Sequence, residues 1–180
     1  MRIHKDQVVG LFIDFQERLY PFIHNHEELT RNTSILIQGL KVLGIPILVT
    51  EQYVKGLGPT IEPLKNLLHE NKFIEKQAFS CCDEPRFSES LALTFKHHII
   101  IAGIETHVCV LQTVVDLLES GYKPIVIENC VSSRKPEDKR AALERMKMEG
   151  AVISTYESIL FELLRYSGTE PFKAISRLVK

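Results

Sequence analysis

The sequence predicts an α/β fold, a three-layer sandwich in which about six parallel strands form one sheet with helices on both faces. Short apolar runs bounded by glycine, proline or polar residues alternate with longer segments whose apolar residues recur at helical spacing. This alternation is typical of βαβ units, whose strands are buried on both faces. The 180 residues match the size of one domain, so we expect a single domain over residues 1–180.

The strands are predicted from six apolar runs, which read VVGLFID, IPILVT, KFIEK, IIIA, PIVIE and AVIS. These runs span Val8–Asp14, Ile45–Thr50, Lys72–Lys76, Ile99–Ala102, Pro124–Glu128 and Ala151–Ser154. Pro46 is compatible with this assignment because it lies near the start of its strand, where a missing N–H is tolerated.

Helical spacing predicts the elements between the strands. The predicted helices span Glu27–Leu43, Ile61–Leu68, Phe87–Phe95, Thr106 to just before Gly121, Pro136–Glu149, Tyr156–Leu164 and Pro171–Lys180. Two segments, Lys55–Thr60 (KGLGPT) and Asn129–Ser133, are predicted as loops. KGLGPT lacks the GxGxxG fingerprint of a phosphate-binding turn, so we interpret it as a mobile loop over a site.

Composition and charge exclude several function classes. The chain is 44% hydrophobic and 25% charged with a net charge of −1, which gives no general attraction to nucleic acid or to an anionic membrane surface. No apolar run approaches the roughly 20 residues of a membrane span, and the N-terminus lacks a signal-peptide core. We therefore expect a cytoplasmic protein whose partner is a small-molecule substrate, with no nucleic acid or membrane partner.

Three side chains stand where α/β proteins bind ligands. Cys109 follows a buried strand in the first turn of a helix, where the helix dipole favours an anion and can lower a thiol pKa. Asp14 and Lys76 end two other predicted strands, and the carboxyl ends of parallel strands share one edge of the sheet. An acid, a base and a thiol could therefore meet in one crevice. Taken singly, they could be a turn cap, a solvated charge and a small buried hydrophobe.

Several motifs occur in the order found in one known superfamily. LFIDFQ (Leu11–Gln16), EKQAFS (Glu75–Ser80) and AGIETHVCV (Ala102–Val110) resemble those of the isochorismatase-like cysteine hydrolases, which include nicotinamidases and N-carbamoylsarcosine amidase. TEQYVKGLGPT (Thr50–Thr60) and ENCVSSR (Glu128–Arg134) are similar to a subgroup, the isochorismatase domain-containing proteins. The resemblance covers nearly the whole chain.

The resemblance implies the isochorismatase-like hydrolase fold and a catalytic triad of Asp14, Lys76 and Cys109. It further implies an oxyanion hole formed by the backbone N–H groups of Glu105 and Cys109, and a cis peptide bond between Ile104 and Glu105. Through the same resemblance we expect a homo-oligomer, either a dimer or a tetramer.

The same resemblance implies further pocket residues, and a departure from one of its members argues against a metal site. We expect Gln16, Tyr53, Phe79, Ile104 and Glu105 to line the pocket or its oxyanion hole, where the Glu105 carboxylate could select a cationic or amide-bearing substrate. Nicotinamidases carry an Asp and two His metal ligands after the second strand, whereas residues 51–56 here read EQYVKG, without histidine. We therefore expect no metal and no cofactor.

The favoured hypothesis is a metal-independent cysteine hydrolase that cleaves a C–N bond of a small amide-like substrate through a thioester-type intermediate. A second hypothesis is a binding or interaction protein that keeps the family scaffold with little hydrolytic activity. A third is a thiol redox sensor, which requires a resolving cysteine such as Cys130 near Cys109. Otherwise we expect Cys81, Cys82 and Cys130 to be bystanders.

Overall fold

The computed structural model describes residues 2–180 and confirms the predicted α/β class. The strands are β1 (Val8–Ile13), β2 (Ile47–Gln52), β3 (Phe73–Lys76), β4 (His98–Ile104), β5 (Lys123–Ser132) and β6 (Val152–Ser154). They form one six-stranded sheet in the order β3-β2-β1-β4-β5-β6, and every neighbouring pair is parallel. The carboxyl ends of all strands therefore lie at the same edge.

Eight α-helices are found among residues 2–180. They are α1 (His26–Val42), α2 (Val54–Leu57), α3 (Glu62–Leu67), α4 (Pro85–Ala92), α5 (Leu111–Glu119), α6 (Pro136–Glu149), α7 (Tyr156–Leu164) and α8 (Glu170–Leu178). A π-helical turn, Thr106–Val110, leads directly into α5. In this part of the chain, no helix is long and apolar enough to cross a membrane.

The core consists of two apolar layers, one on each face of the sheet. Because side chains alternate along a strand, Val8 and Phe12 of β1 pack in the layer covered by α1, α3, α7 and α8. Val9, Leu11 and Ile13 pack on the other face, beneath α4, α5 and α6. Every residue of β1 is buried, as expected for an inner parallel strand.

The predicted element bounds are most accurate where a helix has clear end signals. The helices Pro136–Glu149 and Tyr156–Leu164 have the predicted bounds. Gly150, in the left-handed conformation at φ +111°, ends the first. Thr155 begins the second by accepting a hydrogen bond from the Ser158 N–H.

The predicted loop at residues 129–133 is wrong for its first four residues, which continue β5. The parallel pairing between β4 and β5 is interrupted after Ile101 and resumes with Gly103 opposite Val131. Such a bulge cannot be recognised from the apolar pattern, because it breaks the pattern while the strand continues.

The predicted loop over residues 55–60 contains a one-turn helix, α2, and is tethered rather than loose. The Gln16 side chain donates to the Gly58 carbonyl at 2.6 Å. The Glu51 carboxylate accepts from the Thr60 N–H at 2.6 Å and from the Thr60 hydroxyl at 2.7 Å. These hydrogen bonds hold the segment at Gly58 and Thr60.

Gly103 allows β1 and β4 to approach closely at the edge that carries Asp14. A Cβ atom at this position would lie 2.6 Å from the Ile13 Cβ and 2.8 Å from the Ile13 carbonyl oxygen. Both are closer than a real contact permits, and backbone cannot rotate away as a side chain can.

We predict that Gly103→Ala lowers the free energy of unfolding by about 1–3 kcal/mol, because the added methyl overpacks the core against backbone. Urea unfolding followed by circular dichroism measures the change. Gly10→Ala is the matched control in β1: its Cβ would meet the Leu40 Cδ1 at 2.8 Å, a side-chain end that can rotate. An equal loss in both variants would contradict the prediction.

Candidate active site

A cavity of about 260 Å³ lies at the carboxyl edge of the sheet. It is lined by Leu19, Gln52, Tyr53, Leu57, Phe79, Glu105, Val108 and Cys109. Most of these side chains are apolar or aromatic, and none is a lysine, arginine or histidine. The cavity is therefore small and carries no cationic side chain in its lining.

Asp14 follows β1 directly and adopts a left-handed backbone conformation with φ +54°. Its carboxylate is buried, with 1% of the residue exposed. The Thr50 hydroxyl donates to Oδ1 at 2.8 Å, and the Lys76 ammonium donates to Oδ2 at 2.7 Å. Each carboxylate oxygen thus has its own donor, one from β2 and one from β3.

Lys76 ends β3 and is fully enclosed, with 1% exposure, so it is not a solvated charge. Besides the bond to Asp14, its ammonium donates to the Ala78 carbonyl at 3.0 Å and to the Phe79 carbonyl at 2.9 Å. These three bonds use all the N–H donors of a lysine. The ammonium is consequently fixed in place and has no donor left for a ligand.

Burial and mutual attraction act differently on the two partners. Burial raises the pKa of Asp14, and the attraction of Lys76 offsets only part of this rise. For Lys76, burial lowers the pKa, but the charge and hydrogen bond of Asp14 together with the nearby Cys81 and Cys109 outweigh it, so the net pKa is raised. Asp14 is therefore a stronger base than an exposed aspartate, beside a lysine that stays protonated.

Cys109 lies in the π-helical turn after β4, with 5% of the residue exposed to the cavity. Its thiol donates to the Gln52 Oε1 at 3.3 Å and also interacts with the Asp14 carboxylate by a side-chain hydrogen bond. The structure therefore brings together the three side chains predicted as a triad.

The prediction of a lowered Cys109 pKa is wrong. Burial raises the pKa of this thiol, the negative charge of Asp14 raises it further, and the positive charge of Lys76 only partly opposes them. The start of a helix favours a thiolate, but here the enclosed surroundings and the adjacent carboxylate of Asp14 act more strongly in the opposite direction. The resting thiol is consequently protonated at neutral pH.

The other predicted pocket residues divide into two groups. Tyr53, Phe79 and Glu105 line the cavity, and the two aromatic rings are about half exposed at its mouth. Gln16 and Ile104 are buried and do not line it. The Gln16 carboxamide bonds to main-chain atoms of Gln52 and Gly58, so Gln16 shapes the wall instead.

Glu105 begins the turn that carries Cys109, and the Ile104–Glu105 peptide bond is cis. The Glu105 Oε2 accepts from the Arg134 backbone N–H and from the Arg134 Nε, both at 3.0 Å. Because its charge is already balanced, the Glu105 carboxylate is a poor candidate for selecting a cationic substrate.

Of the remaining cysteines, Cys130 and Cys81 pack on opposite faces of the sheet. Cys130 packs in the apolar layer on the opposite face of the sheet from Cys109, so it cannot serve as a resolving partner in this conformation. Cys81 shares the layer of Cys109, and its sulfur lies 3.8 Å from the Thr50 hydroxyl oxygen. Burial raises the pKa of Cys81 to about 12. All four cysteines are free.

Residues 2–180 contain no group of three or more His, Cys, Asp or Glu side chains arranged to hold a metal ion. Glu51, the acid in the region where nicotinamidases carry metal ligands, instead accepts hydrogen bonds from Thr60.

Thr50, Gln52 and Arg134 also belong to the site, although none of them was predicted from the sequence. Thr50 and Gln52 lie two positions apart on β2, so they face the same side of the sheet, and this spacing was a usable signal. Arg134 gave no such signal, because its partner Glu105 is distant in sequence.

Comparison with known proteins identifies the chain's relatives. The Isochorismatase domain family matches residues 9–158. Isochorismatase family protein 1B of Dictyostelium discoideum is 39% identical over 180 residues, covering 95% of this chain and 85% of the relative.

Two solved structures share the fold over almost the full length. The MAR1 ribonuclease of Caenorhabditis elegans is 36% identical with a TM-score of 0.93, covering 99% of this chain and 92% of its own. YcaC of Pseudomonas aeruginosa, solved with hexane-2,5-diol and covalent acrylamide, is 27% identical with a TM-score of 0.91, covering 97% and 89%. By its sequence and its architecture, this chain belongs to the isochorismatase family.

Proposed function

We propose that this protein is a metal-independent cysteine hydrolase that cleaves a C–N bond in a small amide-like substrate. Membership of the isochorismatase family supports a hydrolase-type activity. The observation that carries the finer proposal is the Cys109 thiol, which borders a small cavity and contacts a buried Asp14 that is paired with Lys76. A nucleophile beside a base that is held by a third group is the arrangement that nucleophilic catalysis requires.

In the proposed first step, Cys109 attacks the substrate's carbonyl carbon. The thiol proton passes to the Asp14 carboxylate as the C–S bond forms, and the carbonyl π electrons move to the oxygen. The raised pKa of Asp14 favours this transfer, because a stronger base takes the proton more readily. The backbone N–H groups of Glu105 and Cys109 are the proposed donors to the new oxyanion.

The second step releases the amine. The oxyanion electrons re-form the carbonyl, the C–N bond breaks, and the leaving nitrogen takes the proton from Asp14. The acyl group remains on Cys109 as a thioester, and Asp14 is again a carboxylate. Splitting one difficult hydrolysis into two easier steps is the advantage of covalent catalysis.

The third step restores the enzyme. A water molecule gives a proton to Asp14 while its oxygen bonds to the thioester carbon. Collapse of this adduct breaks the C–S bond, the sulfur takes the proton from Asp14, and a carboxylic acid leaves. Throughout, Lys76 keeps Asp14 oriented and donates no proton, since its three N–H groups stay bonded to Asp14 and two carbonyls.

The cavity lining supports a small uncharged substrate over a nucleic acid. One structural relative is named as a ribonuclease, but recognition of RNA phosphates uses cationic side chains, and the residues lining this cavity include none. A carbonyl compound of about the size of an aromatic amide fits a volume of about 260 Å³. RNA belongs in the substrate screen as the competing possibility.

We predict that Cys109→Ala lowers turnover by about 10⁴-fold or more, because the nucleophile is lost. Primary amides, ureas, carbamoyl compounds and RNA are screened by product release, and the acyl-enzyme of any substrate found is sought by intact mass. Cys82→Ala, outside the cavity, is the matched control and should keep wild-type turnover. Unchanged turnover in Cys109→Ala would refute the proposal, whereas ligand binding without turnover in either protein would favour a scaffold role.

A second prediction concerns the pH dependence of Cys109 alkylation by iodoacetamide. Because the thiolate is the reactive form and the Cys109 pKa is raised, the wild-type rate at pH 8 should fall below that of free cysteine and keep rising at higher pH. Peptide mass spectrometry resolves the individual cysteines. A rate plateau below pH 8 would contradict the raised pKa.

We expect substitutions of Asp14 and of Lys76 to change the Cys109 alkylation rate in opposite directions. Asp14→Asn removes the negative charge that raises the Cys109 pKa, so alkylation at pH 8 should accelerate although turnover is lost. Lys76→Met removes the positive charge that lowers this pKa, so alkylation should slow. Cys82 is the internal reference, since Asp116 and Asp83 shift its pKa and Asp14 does not. Parallel changes in both variants would argue against electrostatic control by the pair.

A further inference from the structure

Gln52 is a polar side chain of the cavity that contacts the nucleophile. It ends β2, and its backbone is held by the Gln16 carboxamide, which accepts from the Gln52 N–H at 2.7 Å and donates to the Gln52 carbonyl at 2.9 Å. The backbone position of Gln52 is therefore fixed independently of its own side chain. That side chain extends into the site and reaches Cys109.

The orientation of the Gln52 amide follows from its two partners. The Nε2 donates to the Gln77 carbonyl at 3.3 Å, which only the nitrogen of the amide can do. The Oε1 must then face the cavity, where it accepts the Cys109 thiol at 3.3 Å. The group beside the sulfur is thus a neutral acceptor.

We propose that Gln52 determines specificity by accepting an N–H from the substrate group attached to the carbonyl that Cys109 attacks. Atoms bonded to that carbonyl must lie near the Gln52 Oε1, because Oε1 is 3.3 Å from the attacking sulfur. A primary amide or urea offers an N–H there. An ester offers only oxygen lone pairs, which would leave two acceptors facing each other.

Two charged groups of the site are already bonded to other partners. The Lys76 ammonium spends its donors on Asp14 and two carbonyls, and the Glu105 carboxylate is bonded to Arg134. In the resting protein the Cys109 thiol interacts with both Gln52 and Asp14, and a substrate N–H that takes over Oε1 leaves Asp14 as the partner of the thiol. The site then selects uncharged carbonyl compounds that carry an N–H, a preference that rests on the proposed function.

The test compares two alkylating reagents of the same size, N-methyliodoacetamide and methyl iodoacetate, which differ in having an N–H or an ester oxygen. In both, the sulfur displaces iodide from the methylene carbon beside the carbonyl. Rates at Cys109 are measured by peptide mass spectrometry and divided by the rates of the same reagents with glutathione. After this correction, wild-type Cys109 should prefer N-methyliodoacetamide by about tenfold or more. Gln52→Leu should abolish the preference, while Gln52→Glu, which keeps an acceptor, should retain it.

Gln38→Leu is the matched control, since Gln38 bonds the Ser34 carbonyl within α1, away from the cavity. A preference that is absent in the wild type, or unchanged in Gln52→Leu, overturns the role of Gln52 and leaves the triad intact. Alkylation does not require turnover, so the proposed function is judged separately by the loss of hydrolysis in Cys109→Ala. If Cys109 reacts with neither reagent even at the high pH at which its rate should rise, the cavity does not admit small carbonyl compounds and both proposals fail.

Discussion

The buried ion pair between Lys76 and Asp14 is the constraint on which the arrangement of the site depends. Both charges are almost fully removed from water, and such a pair is tolerated only when its remaining donors and acceptors are also bonded. Thr50 supplies the second donor to the carboxylate, and the carbonyls of residues 78 and 79 accept the remaining ammonium N–H groups. One ion pair therefore fixes β1, β2, β3 and the segment after β3 relative to one another.

This constraint also controls the chemistry of Cys109. A lone lysine beside the sulfur would stabilise a thiolate, but here its charge is shared with Asp14, which stabilises the protonated thiol. Burial acts in the same direction on both acids, so the thiol and the carboxylate each have a raised pKa. The site thus favours proton exchange between neighbours over a permanently ionised nucleophile. A protonated thiol is also less open to oxidation than a thiolate.

Patterns within one element could be predicted from the sequence, and relations between distant elements could not. The apolar runs fixed the number and direction of the strands, and the shared edge of a parallel sheet was enough to bring Asp14, Lys76 and Cys109 together. The bulge in β4–β5 and the pairing of Arg134 with Glu105 depend on contacts between residues far apart in sequence. The prediction of a lowered Cys109 pKa was wrong for the same reason, since desolvation of a thiol depends on the folded surroundings.

The polar groups around the cavity are mostly occupied by one another. Gln16 bonds main-chain atoms, Glu51 bonds Thr60, and Glu105 bonds Arg134, so these side chains hold the wall and contribute little to recognition. Beside the sulfur, a ligand meets an apolar and aromatic lining and the acceptor of Gln52. Apolar contact is weakly selective between molecules of similar shape, whereas one unsatisfied acceptor penalises any molecule without a donor. Discrimination between substrates at this site therefore follows from hydrogen-bond matching at Gln52, with the apolar walls setting only size.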